Sequence, residues 1–289
     1  MYSGSFVALV TPFKDNFDID FDAYGRLIDM QLENGTHGIV PAGCTGEAAT
    51  LTHDEQKKLI SFAINRIAGK VPVVAGTGSN NTAETLDFTQ YAKEAGADGA
   101  LMLTPYYNKP TREGIIAHYT TVADKIELPI MLYNVPGRTQ LKMEPETIAT
   151  LAKHPNIVSV KEACGSVDQV SQIRSQSDIN IMSGDDPLTL PMMAVGASGV
   201  VSVAANVVPD KVAALTNAFH AGDLQKAREI HYEILPLNKA LFAETNPMPV
   251  KKILAEMGLI KNVLRLPLTP MLQQKYDAIK SIVAQFGLI

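Results

Sequence analysis

Short apolar segments recur along the chain, separated by longer segments in which apolar residues return every three or four positions. The short segments are continuously apolar, whereas a strand with one face in water would alternate apolar and polar residues. Continuous runs of this length indicate strands that are covered on both faces, as in a parallel sheet. Eight such strands are predicted, at Phe6–Leu9, Gly38–Pro41, Val71–Ala75, Gly99–Leu103, Ile130–Tyr133, Ile157–Val160, Ile179–Met182 and Gly199–Val203.

The longer segments carry helix signals. Residues 20–35 have apolar side chains at three- and four-residue spacing and end on a glycine, which commonly stops a helix. Thr52 and Glu55 form a capping-box pair at the start of a second helix, which closes on Gly69. A third helix of the same design is predicted over 82–96.

This alternation predicts an α/β fold, a (β/α)8 TIM barrel, which typically contains ~250 residues. An open doubly wound sheet is the alternative. The glycine-rich turn at 76–78 does not favour that sheet, because Asn81 stands where a dinucleotide-binding turn has its third glycine. From residue 223 onward the pattern is helical only. We therefore predict a catalytic barrel over 1–222 and a C-terminal helical region over 223–289.

Composition narrows the function classes. The 289 residues are 46% hydrophobic and 19% charged with a formal net charge of -5, which is globular composition without the basic face that nucleic-acid binding requires. The contexts of Cys44 and Cys164 indicate neither a disulfide framework nor a zinc site. The apolar run Phe6–Val10 is too short for a signal-peptide core, and the uncharged stretch 187–209 is broken by proline and glycine. We expect a cytoplasmic protein that binds neither nucleic acid nor membrane.

The carboxyl ends of barrel strands are where TIM-barrel enzymes place their catalytic residues. Here these ends are polar or glycine-rich, and they hold one lysine and no histidine. A Ser-His-Asp arrangement or a histidine-rich metal site is therefore not expected. No metal is predicted, although Asp185 and Asp186 leave a carboxylate metal site as an alternative. The ends comprise Thr11–Pro12, Gly43–Glu47, Gly76–Gly78, Thr104–Tyr107, Tyr133–Asn134, Lys161–Glu162, Ser183–Asp186 and Ser202.

Lys161 ends a run of β-branched residues, where a charged amine is costly to bury. One interpretation is that its amine simply reaches water. The other is imine chemistry, in which burial lowers the lysine pKa from ~10.4 until the neutral amine can attack a carbonyl. Tyr133, which ends the neighbouring strand, could then move protons, and backbone N–H groups of the 43–46 loop could hold a substrate carboxylate.

Six motifs, in order along the chain, bear on this choice. They resemble the dihydrodipicolinate synthase family, which belongs to the pyruvate-dependent lyases together with N-acetylneuraminate lyase, and the likeness covers almost the whole chain. The motifs are GCTGEA (43–48), TPYYNKP (104–110), YNVPGRT (133–139), VKEA (160–163), SGDD (183–186) and NPMPVK (246–251).

The resemblance implies a class I, Schiff-base condensation of pyruvate with aspartate 4-semialdehyde. Lys161 would form the imine, and Tyr133 would be the acid and base at the reacting centre. Thr45 would hold the carboxylate of pyruvate, and Arg138 would hold that of the semialdehyde. The product would be 4-hydroxy-tetrahydrodipicolinate, an intermediate of lysine and diaminopimelate biosynthesis, and no cofactor is implied.

The resemblance also implies further site residues and an assembly. Val201 and Gly184 would line the pocket of the lysine. Cys44 would link the proton-transferring tyrosine to Tyr107, which would come from the other subunit of a tight dimer. The whole enzyme would be a homotetramer, built as a dimer of dimers.

Arg138 separates the possible enzymes. A guanidinium binds a carboxylate through two parallel hydrogen bonds, and the GRT context of this arginine is that of the synthase branch. The alternative is another pyruvate-dependent aldolase or lyase that acts on a sugar acid or a related keto acid. A non-catalytic relative that only binds keto acids or partners is the remaining interpretation.

Two positions depart from the family pattern, which usually has threonine where Cys44 stands and serine where Ala48 stands. A thiol is a weaker hydrogen-bonding group than a hydroxyl. We therefore expect Cys44 to occupy the relay position and to permit turnover, but less efficiently than threonine would.

L-Lysine inhibits some members of the family at a site in the tight dimer interface. Asn80, Glu84 and Tyr106 retain groups that could hold a lysine molecule. Ala48 lacks the serine hydroxyl, and Gln56 stands where histidine or another residue often occurs. We therefore predict weak or absent inhibition by L-lysine. The positions that match the site are Ala48, Ala49, His53, Gln56, Asn80, Glu84 and Tyr106.

Overall fold

Eight parallel strands form the centre of the computed structural model, which describes residues 1–289. The strands are β1 (Gly4–Ala8), β2 (Gly38–Val40), β3 (Val74–Gly76), β4 (Gly99–Leu103), β5 (Ile130–Asn134), β6 (Ile157–Glu162), β7 (Asn180–Ser183) and β8 (Gly199–Ser202). They pair in the order β2-β1-β8-β7-β6-β5-β4-β3. A single bridge between Ile39 and Val73 joins the two end strands. The sheet is a nearly closed barrel, and the predicted (β/α)8 fold is confirmed.

Helices connect successive strands and cover the outer face of the barrel, and three more follow the last barrel helix. They are α1 (Phe21–Glu33), α2 (His53–Ile67), α3 (Thr82–Ala95), α4 (Arg112–Lys125), α5 (Pro136–Thr139), α6 (Pro145–Leu151), α7 (Val167–Gln176), α8 (Thr189–Ala194), α9 (Pro209–His220), α10 (Leu224–Ala240), α11 (Met248–Glu256) and α12 (Gln273–Gln285).

The ends of the predicted helices are set by local caps. Thr52 Oγ1 accepts a hydrogen bond from the Glu55 N–H at 3.2 Å, and the Glu55 carboxylate accepts one from the Thr52 N–H at 2.9 Å. The predicted capping box therefore starts α2. Helix α3 ends at Ala95, because Gly96 follows with a left-handed φ of 93°.

Side chains of the strands alternate between two apolar cores. On β5, Met131 and Tyr133 belong to a cluster inside the barrel, while Ile130 and Leu132 pack outward against the helices. A polar side chain that faces the barrel interior is therefore surrounded by hydrocarbon. The interior cluster, called the lumen cluster below, consists of Tyr2, Phe6, Ala8, Val40, Val74, Leu101, Met131, Tyr133, Val135, Met182 and Val201.

The uncharged stretch 187–209 forms a short helical turn, α8, the strand β8 and the approach to α9. Gly196 has a φ of 110° and lies in the turn between α8 and β8. None of the helices is both long enough and apolar enough to cross a bilayer.

The C-terminal helices return to the mouth of the barrel. Helix α10 packs along α9, and the segment after it brings Asn246 and Lys251 to the loop that follows β2. Asn246 donates a hydrogen bond to Thr45, and Lys251 forms an ion pair with Glu47. A helical C-terminal region is therefore present, and its predicted boundary between 222 and 223 stays a prediction.

The ion pair between Glu47 and Lys251 lies wholly inside the protein. Lys251 Nζ is 2.5 Å from Glu47 Oε1, and neither side chain is exposed. The same Nζ donates to the Thr11 carbonyl at 2.9 Å and lies over the ring of Phe13. Burial raises the pKa of Glu47 and lowers that of Lys251, and the attraction between the two charges opposes both shifts. Loss of one partner from such a pair typically costs ~3–5 kcal/mol, because the other charge is left buried alone.

Candidate active site

Lys161 lies on β6 among apolar neighbours. It is in register with Tyr133 on β5 and with Met182 on β7, both members of the lumen cluster. Lys161 is 5% exposed, and its Nζ is 4.3 Å from the centroid of the Tyr133 ring. Burial lowers the lysine pKa to about 8. The amine therefore does not simply reach water, and a usable fraction of it is uncharged near neutral pH.

Gly184 makes room for the stem of this lysine. It follows β7 directly, and a Cβ at this position would lie 3.0 Å from Lys161 Cε and 2.6 Å from the Cβ of Ala163. A larger residue would displace the lysine stem. Val201 on β8 is fully buried in the lumen cluster. The two residues predicted to line the lysine pocket thus lie inside the barrel or at its rim.

Tyr133 holds its proton firmly. The residue is 7% exposed, and burial raises the pKa of its phenol well above the ordinary value, with the neighbouring Cys44 thiol adding to the shift. Cys44 is half-buried and packs against the lumen cluster. A phenol that stays protonated at neutral pH can donate a proton and recover it, with the thiol as its immediate neighbour.

The loop after β2 presents donors at the barrel mouth. Thr45 is buried, and its Oγ1 accepts a hydrogen bond from Asn246 Nδ2 at 2.9 Å. The N–H groups of Thr45 and Gly46 donate no hydrogen bond to any group of the chain. The loop lies close against β3 because Gly76 has no side chain: a Cβ there would be 2.1 Å from the Ala42 carbonyl oxygen. A hydroxyl and two adjacent N–H groups suit a carboxylate.

Arg138 adds a positive charge at the same mouth. It lies on α5, is exposed, and its Nη2 donates to the Asn246 carbonyl at 2.9 Å. Its charge lowers the pKa of both Lys161 and Tyr133, whereas Cys44 and Asp185 raise both. The guanidinium is therefore close enough to influence the reacting groups and still has donors free for a ligand.

A cleft of about 460 Å³ opens beside these groups, and its lining includes Cys44, Tyr133, Arg138 and Asn246. The cleft continues over the residues predicted to bind L-lysine. Its wall does not include Thr45, Lys161, Gly184 or Val201. Lys161 is next to the cleft because it contacts the ring of Tyr133, which lines it. The predicted regulatory positions in its wall are Ala48, Ala49, His53, Gln56, Glu84 and Tyr106.

Two more predicted residues, Asn80 and Tyr107, also lie outside the cleft wall. Asn80 is not in its wall, but its Nδ2 donates to the Tyr106 carbonyl at 3.2 Å, so it borders the regulatory positions. Tyr107 is 90% exposed and has a left-handed φ of 70°. The structure therefore brings Tyr107 to no group of its own chain's site, and its role stays a prediction.

The two aspartates after β7 differ in their surroundings. Asp186 accepts hydrogen bonds from the Ser202 hydroxyl and from the N–H groups of Val203 and Ala204, so its carboxylate is engaged in joining β7 to β8. Asp185 Oδ2 is buried without a hydrogen-bond partner. Burial raises the pKa of both carboxyls, and both keep the pKa of Lys161 higher than burial alone would.

The sequence alone assigned no role to Asn246, Glu47 or Lys251. Glu47 belongs to the loop that carries Thr45, and Asn246 and Lys251 contact that loop. Their contacts join segments about 200 residues apart, which no local pattern reports. The NPMPVK motif was the available signal, since it marks 246–251 as unusual for a helical region.

The sequence of the chain is similar to that of a known protein family over almost its whole length. The model of the dihydrodipicolinate synthetase family matches residues 1–286. The chain belongs to this family.

Members of the family match the chain along its whole length. A 4-hydroxy-tetrahydrodipicolinate synthase of Geobacter metallireducens is 50% identical over 291 residues, which covers 100% of both chains. The crystal structure of dihydrodipicolinate synthase from Aquifex aeolicus has a TM-score of 0.97, with 46% identity and 99% of each chain covered. The enzyme of Acinetobacter baumannii, solved in complex with pyruvate, has a TM-score of 0.97, with 41% identity and 99% coverage of each chain. The predicted membership of the dihydrodipicolinate synthase family is confirmed.

The lowered pKa of Lys161 generates a pH prediction. Only the neutral amine attacks a keto group, so imine formation with pyruvate should rise through pH 8 and level off above it. The measurement is the rate at which the intact protein gains mass in pyruvate and sodium cyanoborohydride. It covers pH 6 to pH 10, roughly two pH units on either side of that pKa. Lys161→Ala corrects for labelling at other lysines. A midpoint near the ordinary lysine value of ~10.4 would contradict the prediction.

Proposed function

We propose that the chain is a 4-hydroxy-tetrahydrodipicolinate synthase, a lyase that condenses pyruvate with aspartate 4-semialdehyde through an imine on Lys161. The observation that carries the proposal is the buried amine of Lys161, whose pKa is lowered to about 8 and which lies 4.3 Å from the ring of Tyr133. Its membership of the dihydrodipicolinate synthetase family supports the substrates, since the relatives bear the synthase name.

Pyruvate enters the first half of the reaction. Its carboxylate accepts hydrogen bonds from the Thr45 hydroxyl and the adjacent N–H groups, which places the keto carbon at Lys161. The neutral amine adds to that carbon, and the carbinolamine loses water to give the imine. Tyr133 donates the proton that leaves with the hydroxyl, and Cys44 exchanges protons with the phenol.

The second half joins the two substrates. Tyr133, left as the phenolate by the first half, takes a proton from the pyruvate methyl group, and the imine becomes an enamine, whose carbon attacks the aldehyde of the semialdehyde. The new alkoxide takes that proton back from Tyr133. Arg138 binds the carboxylate of the semialdehyde through two parallel hydrogen bonds and so orients the aldehyde. The amino group of the condensed product then attacks the imine carbon, and the ring closes as Lys161 is released.

The assembly and the location belong to the same proposal. We propose a cytoplasmic homotetramer in which a partner subunit supplies Tyr107. The 90% exposure of Tyr107 supports the contact with a partner subunit, because the aromatic ring is not covered by its own chain. A proton could then pass from solvent to Tyr107, to Cys44 and to Tyr133.

Covalent trapping tests the function. Sodium borohydride added with pyruvate should reduce the imine and leave one carboxyethyl group on Lys161, seen by intact mass and peptide mapping. Lys161→Ala should gain no mass and lose at least ~10³-fold in kcat, because nothing else in the site can form the imine. Unchanged mass of the native chain would overturn the proposal. Assays with aspartate 4-semialdehyde, N-acetylneuraminate and keto-deoxy sugar acids then distinguish the synthase from the alternative aldolases.

Cys44 provides a second prediction. Cys44→Thr restores a hydroxyl beside the Tyr133 phenol and should raise kcat by a few-fold, while Cys44→Ala removes the relay group and should lower kcat by at least ~10-fold. Steady-state rates with pyruvate and aspartate 4-semialdehyde measure both. The matched control is Cys164→Ser, at the other free thiol of the chain, which should leave kcat unchanged. The idea fails if Cys44→Thr is no faster than the native enzyme.

Regulation by L-lysine provides a third prediction. The cleft presents the Glu84 carboxylate, but Ser79 Oγ already donates to it at 2.7 Å, and the Gln56 amide is engaged with the Gly76 carbonyl at 2.9 Å. Ala48 offers no hydroxyl. We therefore propose weak or absent inhibition by L-lysine, and Ala48→Ser should strengthen whatever inhibition there is. Initial rates against L-lysine concentration decide this, and a sub-millimolar inhibition constant for the native enzyme would contradict it.

A further inference from the structure

Asn246 touches both side chains to which the proposed function assigns a substrate carboxylate. The residue follows α10, is 4% exposed and forms part of the cleft wall. Its Nδ2 donates to Thr45 Oγ1 at 2.9 Å, and its backbone carbonyl accepts from Arg138 Nη2 at 2.9 Å. One residue from the C-terminal region therefore contacts the predicted binder of pyruvate and the predicted binder of the semialdehyde.

The contact with Thr45 decides where the hydroxyl hydrogen points. A threonine hydroxyl has one hydrogen to donate and two lone pairs that accept. Because the Asn246 amide donates to the oxygen, it occupies a lone pair and leaves the hydrogen for another acceptor. Thr45 donates this hydrogen to no group of the chain. A carboxylate held at the neighbouring N–H groups is the acceptor that completes the arrangement.

We propose that Asn246 is a positioning residue that fixes the Thr45 hydroxyl as a hydrogen-bond donor to the carboxylate of the keto-acid substrate. The proposal rests on the proposed function, because it takes that substrate to be an α-keto acid bound at Thr45. Asn246 acts through Thr45 and takes no part in the bond-making steps. Its effect is confined to recognition of the keto acid.

The surroundings hold both partners of this hydrogen bond in place. Glu47, two residues after Thr45, is paired with Lys251, five residues after Asn246. Thr11 Oγ1 donates to the Gly46 carbonyl at 2.6 Å, and the Thr11 carbonyl accepts from Lys251. The loop and the segment that carries Asn246 are thus fastened to the same point of the barrel.

A purely structural role does not account for the carbonyl oxygen of the Asn246 side chain. Asn246 Oδ1 is buried without a hydrogen-bond partner, and a buried unsatisfied acceptor typically costs ~1–3 kcal/mol. An apolar side chain would fill the same space without that cost. The presence of an amide is explained if the hydrogen bond from its Nδ2 to Thr45 Oγ1 is needed to orient the Thr45 hydroxyl.

The test is a double-mutant cycle on kinetics. Asn246→Ala removes the amide but keeps the backbone carbonyl that Arg138 uses. It should lower kcat/KM for pyruvate by about 10-fold, the effect of one hydrogen bond to a charged group, and change kcat/KM for the semialdehyde by less than about 2-fold. In a Thr45→Val background, which lacks the hydroxyl, the same substitution should have little further effect.

Two further variants keep the outcome decisive. Asn246→Asp has the same shape, accepts the Thr45 hydrogen instead of donating to its oxygen, and should lower kcat/KM for pyruvate more than the alanine variant does. Asn238→Ala removes another buried asparagine of the C-terminal region and should leave both specificity constants unchanged. Circular dichroism melts show whether each variant folds, and if Asn246→Ala does not fold, Asn246→Asp takes its place in the cycle.

The outcomes separate this proposal from the proposed function. If the native chain is labelled by pyruvate and borohydride but Asn246→Ala lowers neither specificity constant, or lowers both equally, the role of Asn246 is wrong and the function stands. Additive losses in the cycle would also overturn it. If the native chain is not labelled at all, the proposed function itself is wrong.

Discussion

The site depends on one constraint, which is that a single amine must keep a usable uncharged fraction near neutral pH inside an apolar barrel. The lumen cluster supplies the hydrocarbon surroundings, and Gly184 leaves a channel for the lysine stem. A shift of the pKa of Lys161 from its ordinary value to about 8 corresponds to about 3 kcal/mol of folding free energy at neutral pH. Because the folded pKa is the lower one, this penalty is complete below pH 8 and disappears as the pH rises towards ~10.4. The folded protein is less stable by this amount, and the same burial that lowers its stability makes the amine reactive.

Recognition of the substrates depends on a different part of the molecule. The Thr45 hydroxyl and the Arg138 guanidinium belong to the barrel, but both are hydrogen-bonded to Asn246, which comes from beyond it. In the proposed mechanism the strands therefore supply the reactive amine, and the C-terminal region contacts both groups that would bind a carboxylate. The predicted boundary between the barrel and the C-terminal helical region therefore does not separate site residues from the rest, because both parts contribute residues to the site.

Local patterns predicted the strands well, because a continuous apolar run reports directly on burial at both faces. Strand β4 has its predicted bounds, whereas β3 begins at Val74 instead of Val71, because Pro72 has no N–H and that of Val73 donates to Asp98. The position of Lys161 beside Tyr133 followed from strand order. The hydrogen bond between Thr45 and Asn246 did not, since it joins residues 201 positions apart and no pattern within either segment reports a contact over that distance. The exposure of Tyr107 was likewise beyond local pattern, which says nothing about a partner subunit.

The buried pair of Glu47 and Lys251 limits how far this enzyme can be reduced in size. A chain trimmed to its eight strands and their connecting helices would keep the acid and lose the base, so an unmatched carboxylate would sit under the loop that carries Thr45. A graft of that loop onto another barrel would meet the same obstacle unless α11 travelled with it. Miniaturised or chimeric versions of the scaffold therefore have to exchange these two segments together.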